Sequence, residues 1–110
     1  MKKQKKAKVA ERLITDESIT LARREGNGIL RRQVWVGAAG KVTRYSLAYI
    51  NHHIFQGDNG RVLGYDNAHG YHHKHYMGEI EPVHFNNFQE TEEIFQQEFE
   101  VLHEQSKKKR

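Results

Sequence analysis

The sequence predicts an α+β domain: an antiparallel β-meander of four to five strands, packed by a C-terminal helix and a short N-terminal helix. Three features carry that expectation. From Asp16 onward apolar residues alternate with polar ones, and turn sequences interrupt the alternation. Beyond Asn87 the period becomes helical, with Phe88, Phe95 and Leu102 seven residues apart and carboxylates around them. Ahead of the meander, Val9, Ala10, Leu13 and Ile14 recur at helical spacing behind a lysine run.

Residues 2 to 15 therefore read as a helix that frays at its start, because lysines in a first turn oppose the helix dipole. That tail is expected to be solvated, with a nucleic-acid arm as the second reading. Ser18 to Arg24 is a first strand with Ile19 and Leu21 on one face, and Gly26-Asn27-Gly28 supplies the positive-φ residues of a tight hairpin. Ile29 to Val36 places Leu30, Val34 and Val36 on one side and Ile29, Arg31, Gln33 and Trp35 on the other. Residues 38 to 41 turn the chain into a strand from Val42 to about Phe55, with Tyr45, Leu47 and Tyr49 on one face. Asp58-Asn59-Gly60 turns it again into Arg61 to Asp66. Pro82, the only proline, ends a strand or shapes a loop. Asn87 and Glu90 have capping-box spacing at the head of a helix from Phe88 to about Gln105, and the closing cations suit its C-terminus.

At 110 residues the chain suits one domain, residues 1–110, with basic, frayed tails at 1–8 and 106–110. Eleven aromatics argue against disorder. The absence of cysteine removes thiolate chemistry and disulfides, and no apolar run is long enough to span a membrane, so a cytoplasmic location is expected. Charge is segregated. Met1 to His75 holds 14 Lys and Arg against 6 acids, Tyr76 to Ser106 holds 8 acids and no Lys or Arg, and four cations follow. Such asymmetry fits a polyanion at one surface and a basic partner at another, or simply a soluble surface.

Four of the eight histidines fall within HGYHHKH, residues 69–75. If this segment is extended, His69, Tyr71, His73 and His75 share one side, and His72, Lys74 and Tyr76 the other; His73 and His75 then stand about 6.6 Å apart at Cα. Zinc would need further ligands from His53, Asp66, Glu79 or His84, and no metal-specific spacing occurs, so no metal or other cofactor is expected. Proton transfer asks for less. RNA carries its own nucleophile in the 2′-hydroxyl, and cleavage needs a base, an acid and cations for the phosphate. The bland alternative is a hydrogen-bonded loop in which Tyr65-Asp66-Asn67 forms an Asx turn that ends the strand.

The segment GYDNAHGYHHKHYMGE, residues 64–79, resembles the signature of the TumE-like toxin family of bacterial toxin–antitoxin modules. The matching positions are Tyr65, Asp66, Asn67, Ala68, His72, His73, Lys74, His75 and Gly78, with Val42–Ile50 in place of the family's preceding strand. The resemblance spans roughly residues 18 to 103. Gly64 stands where an arginine often precedes Tyr-Asp-Asn, and His69-Gly70-Tyr71 replaces a longer loop, so any phosphate-gripping role of that arginine is either absent here or transferred, for instance to Arg61 or Arg44. The resemblance implies a toxin restrained by a cognate helix-turn-helix antitoxin, and the sheet-plus-helix plan is similar to the RelE-like ribonuclease toxins.

Together these readings predict a metal-independent endoribonuclease. His73 and His75 form the proton-transfer pair, with His72 able to exchange with His73; Lys74 and Arg44 meet phosphate charge, with Arg61 a further candidate, and Tyr65 and Asp66 orient or stack. The alternatives are a non-catalytic nucleic-acid-binding module and a histidine-ligated metallohydrolase. The exposed acids of the C-terminal helix, Glu92, Glu93, Glu100 and Glu104 among them, are candidates for receiving the antitoxin.

Overall fold

The computed structural model describes residues 10–108. The lysine run and the last two cations, assigned above to frayed tails or a nucleic-acid arm, lie outside the described residues. Six strands form one antiparallel sheet in sequence order: β1 (Arg12–Thr20), β2 (Ile29–Val36), β3 (Val42–Ile50), β4 (Arg61–Asp66), β5 (His73–Tyr76) and β6 (Glu79–Pro82). A single helix, α1 (Phe88–Lys108), follows them.

The meander and the C-terminal helix agree with the expectation, while the strand number and the N-terminal helix do not. Among the described residues there is no N-terminal helix, because Arg12–Thr20 pairs antiparallel with β2. The helical spacing was produced by a β-bulge. The register shifts between Leu13 and Thr15, so the neighbours Leu13 and Ile14 mimic a helical pair. The β-branched Ile14, Thr15, Ile19 and Thr20 also favour the pleated strand. The β1–β2 connection is a loop from Leu21 to Gly28 rather than a tight hairpin, although Gly26, Asn27 and Gly28 all have positive φ as expected.

The two additional strands come from the histidine segment itself. Met77 and Gly78, with φ of 46° and 89°, make a two-residue turn that folds β6 back on β5. Each strand has only four residues, mostly charged or histidine, so neither carries an alternating apolar signal.

One face of the sheet is covered by α1. Tyr45, Leu47 and Tyr49 of β3, Val62, Leu63 and Tyr65 of β4, and Phe95 and Phe99 of α1 make the buried core. Tyr49 meets Phe99 edge-on at 4.9 Å between ring centres, and Tyr65 meets Phe95 at 6.4 Å. Asn87 caps α1 as expected: its Oδ1 accepts the Glu90 N–H at 2.8 Å. Arg32, on the covered face of β2, pairs with Glu92 and ties α1 to the sheet. Among the described residues the opposite face carries no helix.

Candidate functional site: a carboxylate shared by two histidines on the uncovered face

The period of the strands decides which face each side chain joins. Across the sheet, Gln33, Ser46, Asp66 and His73 are consecutive register partners, and so are Arg31, Ala48, Gly64 and His75. Both rows lie on the uncovered face, so β4 and β5 bring Asp66, His73 and His75 together there.

Asp66 uses both oxygens. Oδ1 lies 2.9 Å from His73 Nε2, Oδ2 lies 3.1 Å from His75 Nε2, and Oδ1 also accepts the Ala68 N–H at 2.9 Å. The last bond is the Asx turn expected at the end of β4, so one residue both terminates the strand and holds the imidazoles. Exposure is low throughout: 9% for Asp66, 3% for His73 and 6% for His75. The His73 and His75 rings meet edge-on at 4.8 Å.

The partners fix where protons sit. His73 Nδ1 lies 3.0 Å from the Tyr71 carbonyl, which can only accept, so that nitrogen carries a hydrogen. Its Nε2 lies 2.9 Å from Asp66 Oδ1, so both ring nitrogens of His73 face oxygen acceptors. His75 differs. Its Nε2–H donates to Asp66, while its Nδ1 is buried with no hydrogen-bond partner. Burial pushes the His75 imidazole below its ordinary value, and the Arg61 guanidinium pushes the same way against the pull of Asp66. His75 is therefore neutral, with a free lone pair on Nδ1.

Two partly exposed side chains touch this cluster. Tyr71 lies over His73, 4.5 Å between ring centres. Arg61 has an Nη1 3.8 Å from Asp66 Oδ2, but its firmer partner is Asp58, at 2.9 and 3.1 Å. A β-bulge puts Arg61 here: Ile50 opposes it and leaves Val62 as the extra residue, so Arg61 joins Gly64 and Asp66 on the uncovered face. Gly64 makes room, since a Cβ there would approach Arg61 Cδ to 2.8 Å. Beside the cluster, Arg31, Gln33, Ser46, Ala48, Ile50 and Arg61 are among the residues that line a polar depression of about 230 Å³. Arg31 is exposed and has no acidic partner among the described residues.

The remaining candidates are elsewhere. Arg44 is on the same face, two residues beyond Ser46, with its guanidinium 4.0 Å over the Trp35 ring and 3.3 Å from Glu11. His72, Lys74 and Tyr65 face the other way. His72 Nδ1 accepts the Tyr45 hydroxyl at 2.8 Å, and its ring stacks on Phe85 at 3.7 Å. Burial lowers the His72 pKa, with His73 acting in the same direction, and burial likewise pushes the Tyr45 hydroxyl up to about 12. Glu98 holds the Lys74 amine at 3.1 Å and the Tyr65 hydroxyl at 2.7 Å. His69 sits in the turn between β4 and β5 at φ 63°, outside the cluster.

Sequence reasoning did not single out Arg31, Asp58 or Gly64 for the site. A period-two count carried from Asp66 across the paired strands finds Arg31 and Gly64; the bulge that admits Arg61 leaves no such trace.

The class these features define is a small α+β sheet protein with one covered face and a carboxylate–imidazole cluster on the other. A family model described as "Toxin TumE" matches residues 4–106, so the chain belongs to the TumE toxin family. It is a toxin of a toxin–antitoxin system, with an antitoxin as partner. Comparisons with curated proteins and with solved structures gave no match. Among the described residues no helix is long and apolar enough to cross a membrane.

Proposed function

We propose that this toxin is a cytoplasmic endoribonuclease that needs no metal ion, with Asp66, His73 and His75 as its proton-transfer site and a helix-turn-helix protein as its antitoxin. The observation that supports this reading is one carboxylate within hydrogen-bond distance of two imidazoles, of which His75 has a buried Nδ1 with no partner. His75 has the lone pair that a general base needs, and His73 has the proton that a general acid supplies. In the reaction the 2′-oxygen bonds to phosphorus as its proton passes to His75. The bond from phosphorus to the 5′-oxygen breaks as that oxygen takes the proton held between His73 and Asp66. The products are a 2′,3′-cyclic phosphate and a 5′-hydroxyl.

Arg61 is the cation best placed to hold the phosphate, because its 3.8 Å contact with Asp66 is looser than a hydrogen bond. Its movement toward RNA would also uncover the buried imidazoles. Arg31 adds a cation at the depression, and Arg44 on Trp35 extends the surface for a neighbouring nucleotide. His72 and Lys74, held by Tyr45 and Glu98, fix β5 from behind. Replacing His73 and His75 together with alanine is expected to restore growth of cells expressing the toxin while far-ultraviolet circular dichroism stays unchanged. Unchanged growth arrest by the folded double variant refutes the assignment.

A second reading has its own support. The ligand-capable atoms of Asp66, His73 and His75 all lie within 4.8 Å of one another, and a carbonyl at His73 Nδ1 is the usual orienting partner of a metal-bound histidine. A divalent ion there would take the place of the His73 proton and activate water. Against it stands His75, whose buried Nδ1 would have to carry an unpartnered N–H. Cleavage abolished by EDTA and restored by zinc or manganese would select this reading.

A further inference from the structure

α1 packs chiefly over β3 and β4, and β5 and β6 extend beyond it. Between the later turns of α1 and β5 runs a groove of about 350 Å³, lined by Leu63, Lys74, Tyr76, Glu98, Val101 and Leu102 among others. A second depression continues from Lys74 and Tyr76 onto β6, past Ile80 between Glu79 and Glu81. The groove is apolar and open, and the depression on β6 that continues it is polar. Val101 and Tyr76, which both line the groove, are 57% and 42% exposed, an unusual position for two large apolar side chains side by side.

Its rim is acidic. Glu79 and Glu81 stand on β6, and Glu104 lies one helical turn beyond Val101. The one cation lining the groove, Lys74, is neutralised by Glu98 at 3.1 Å. Glu104 is paired with Lys107 at 3.2 Å, which leaves Glu79 and Glu81 as the rim carboxylates with no ion-pair partner among the described residues. Burial and then Glu98 and Glu81 raise the Tyr65 pKa, as expected beside concentrated negative charge. Such a surface repels RNA and anionic lipid, and it suits an apolar segment edged by lysine and arginine.

We propose that the antitoxin docks in this groove between α1 and β5–β6, through an amphipathic segment whose apolar side chains fill the groove and whose cations meet Glu79 and Glu81. The alternation of β5 gives the site its consequence. Lys74 and Tyr76 face the groove while His73 and His75 of the same strand face the Asp66 cluster, so the partner presses on the histidine strand from behind. The inference uses the family's antitoxin and is independent of the ribonuclease reading.

The test compares two full-length double variants titrated with purified cognate antitoxin: Tyr76→Lys with Val101→Lys in the groove, and Ile14→Lys with Ile19→Lys on the exposed positions of β1. Both add the same charge. The groove variant is expected to bind at least about tenfold more weakly, because two apolar anchors are lost, whereas the β1 variant binds like the parent protein. Equal affinity of the two variants would overturn the proposal. So would a parent protein that sediments as a dimer dissolved by the groove substitutions, since the occupant would then be a second copy. If circular dichroism shows the groove variant unfolded, Glu79→Lys with Glu81→Lys on exposed β6 replaces it, with the same two outcomes. Binding is read without RNA, so loss or gain of cleavage activity does not bear on the result.

Discussion

Asp66 makes three contacts that no other side chain can replace together: one to each imidazole and one to the Ala68 amide. Asparagine matches its shape, but it presents an N–H₂ group to one of the two histidines and removes the negative charge between them. Asp66→Asn is therefore expected to lower cleavage by ~10²- to 10⁴-fold, the contribution of one general acid or base, and to cost about 1–3 kcal/mol of stability for the buried groups left mispaired. Growth assays and thermal melts measure the two effects separately. His72 and His75 give a pH prediction. Both are lowered from 6.5, chiefly by burial. Below 6.5, and down to the folded values, the unfolded chain binds more protons than the folded one, so stability rises with pH across that window and is lost on acidification. Melting temperature should fall between about pH 7 and about pH 5, and His72→Gln should reduce that fall. A flat profile in the parent protein contradicts the assignment of two neutral buried histidines. At this scale the sequence was legible where residue type and spacing were enough: HHKH marked the strand, and period two separated His73 and His75 from His72 and Lys74. The choice of partners was not legible, because Glu98 reaches Lys74 and Tyr65 from a separate element.

The elements differ in how plainly they are written. α1 has its cap, its seven-residue apolar repeat and its terminal cations all in local sequence, and only its length, to Lys108, exceeded expectation. Asn87→Ala is expected to cost about 1 kcal/mol through the lost cap, and Phe95→Ala about 3–5 kcal/mol through a cavity between α1 and Tyr65, both measured by denaturant unfolding. β2 and β3 were equally plain, since each alternates over eight or nine residues. β1 was hidden by its bulge at Ile14, and β5 and β6 by their shortness and polarity. The Met77-Gly78 turn holds the latter pair, and an Asx turn at Asp66 and a bulge at Arg61 shape the site. Each of these is a local departure from the regular strand, which is why pattern reading passed over two of the three.

In the whole molecule the sheet separates two tasks. The covered face holds the aromatic core and, beyond it, an apolar groove within carboxylates. The uncovered face holds the Asp66 cluster, Arg61 and Arg31, which has no acidic partner among the described residues. The division of basic and acidic stretches along the chain suggested two partners, but it did not show that β5 would serve both surfaces. The most direct measurement incubates purified protein with end-labelled RNA in EDTA and maps the new termini. The expected result is cleavage that leaves 2′,3′-cyclic phosphate and 5′-hydroxyl ends, persists in EDTA and disappears in the His73→Ala, His75→Ala variant. Intact RNA, or cleavage that appears only when zinc or manganese is returned, would contradict it.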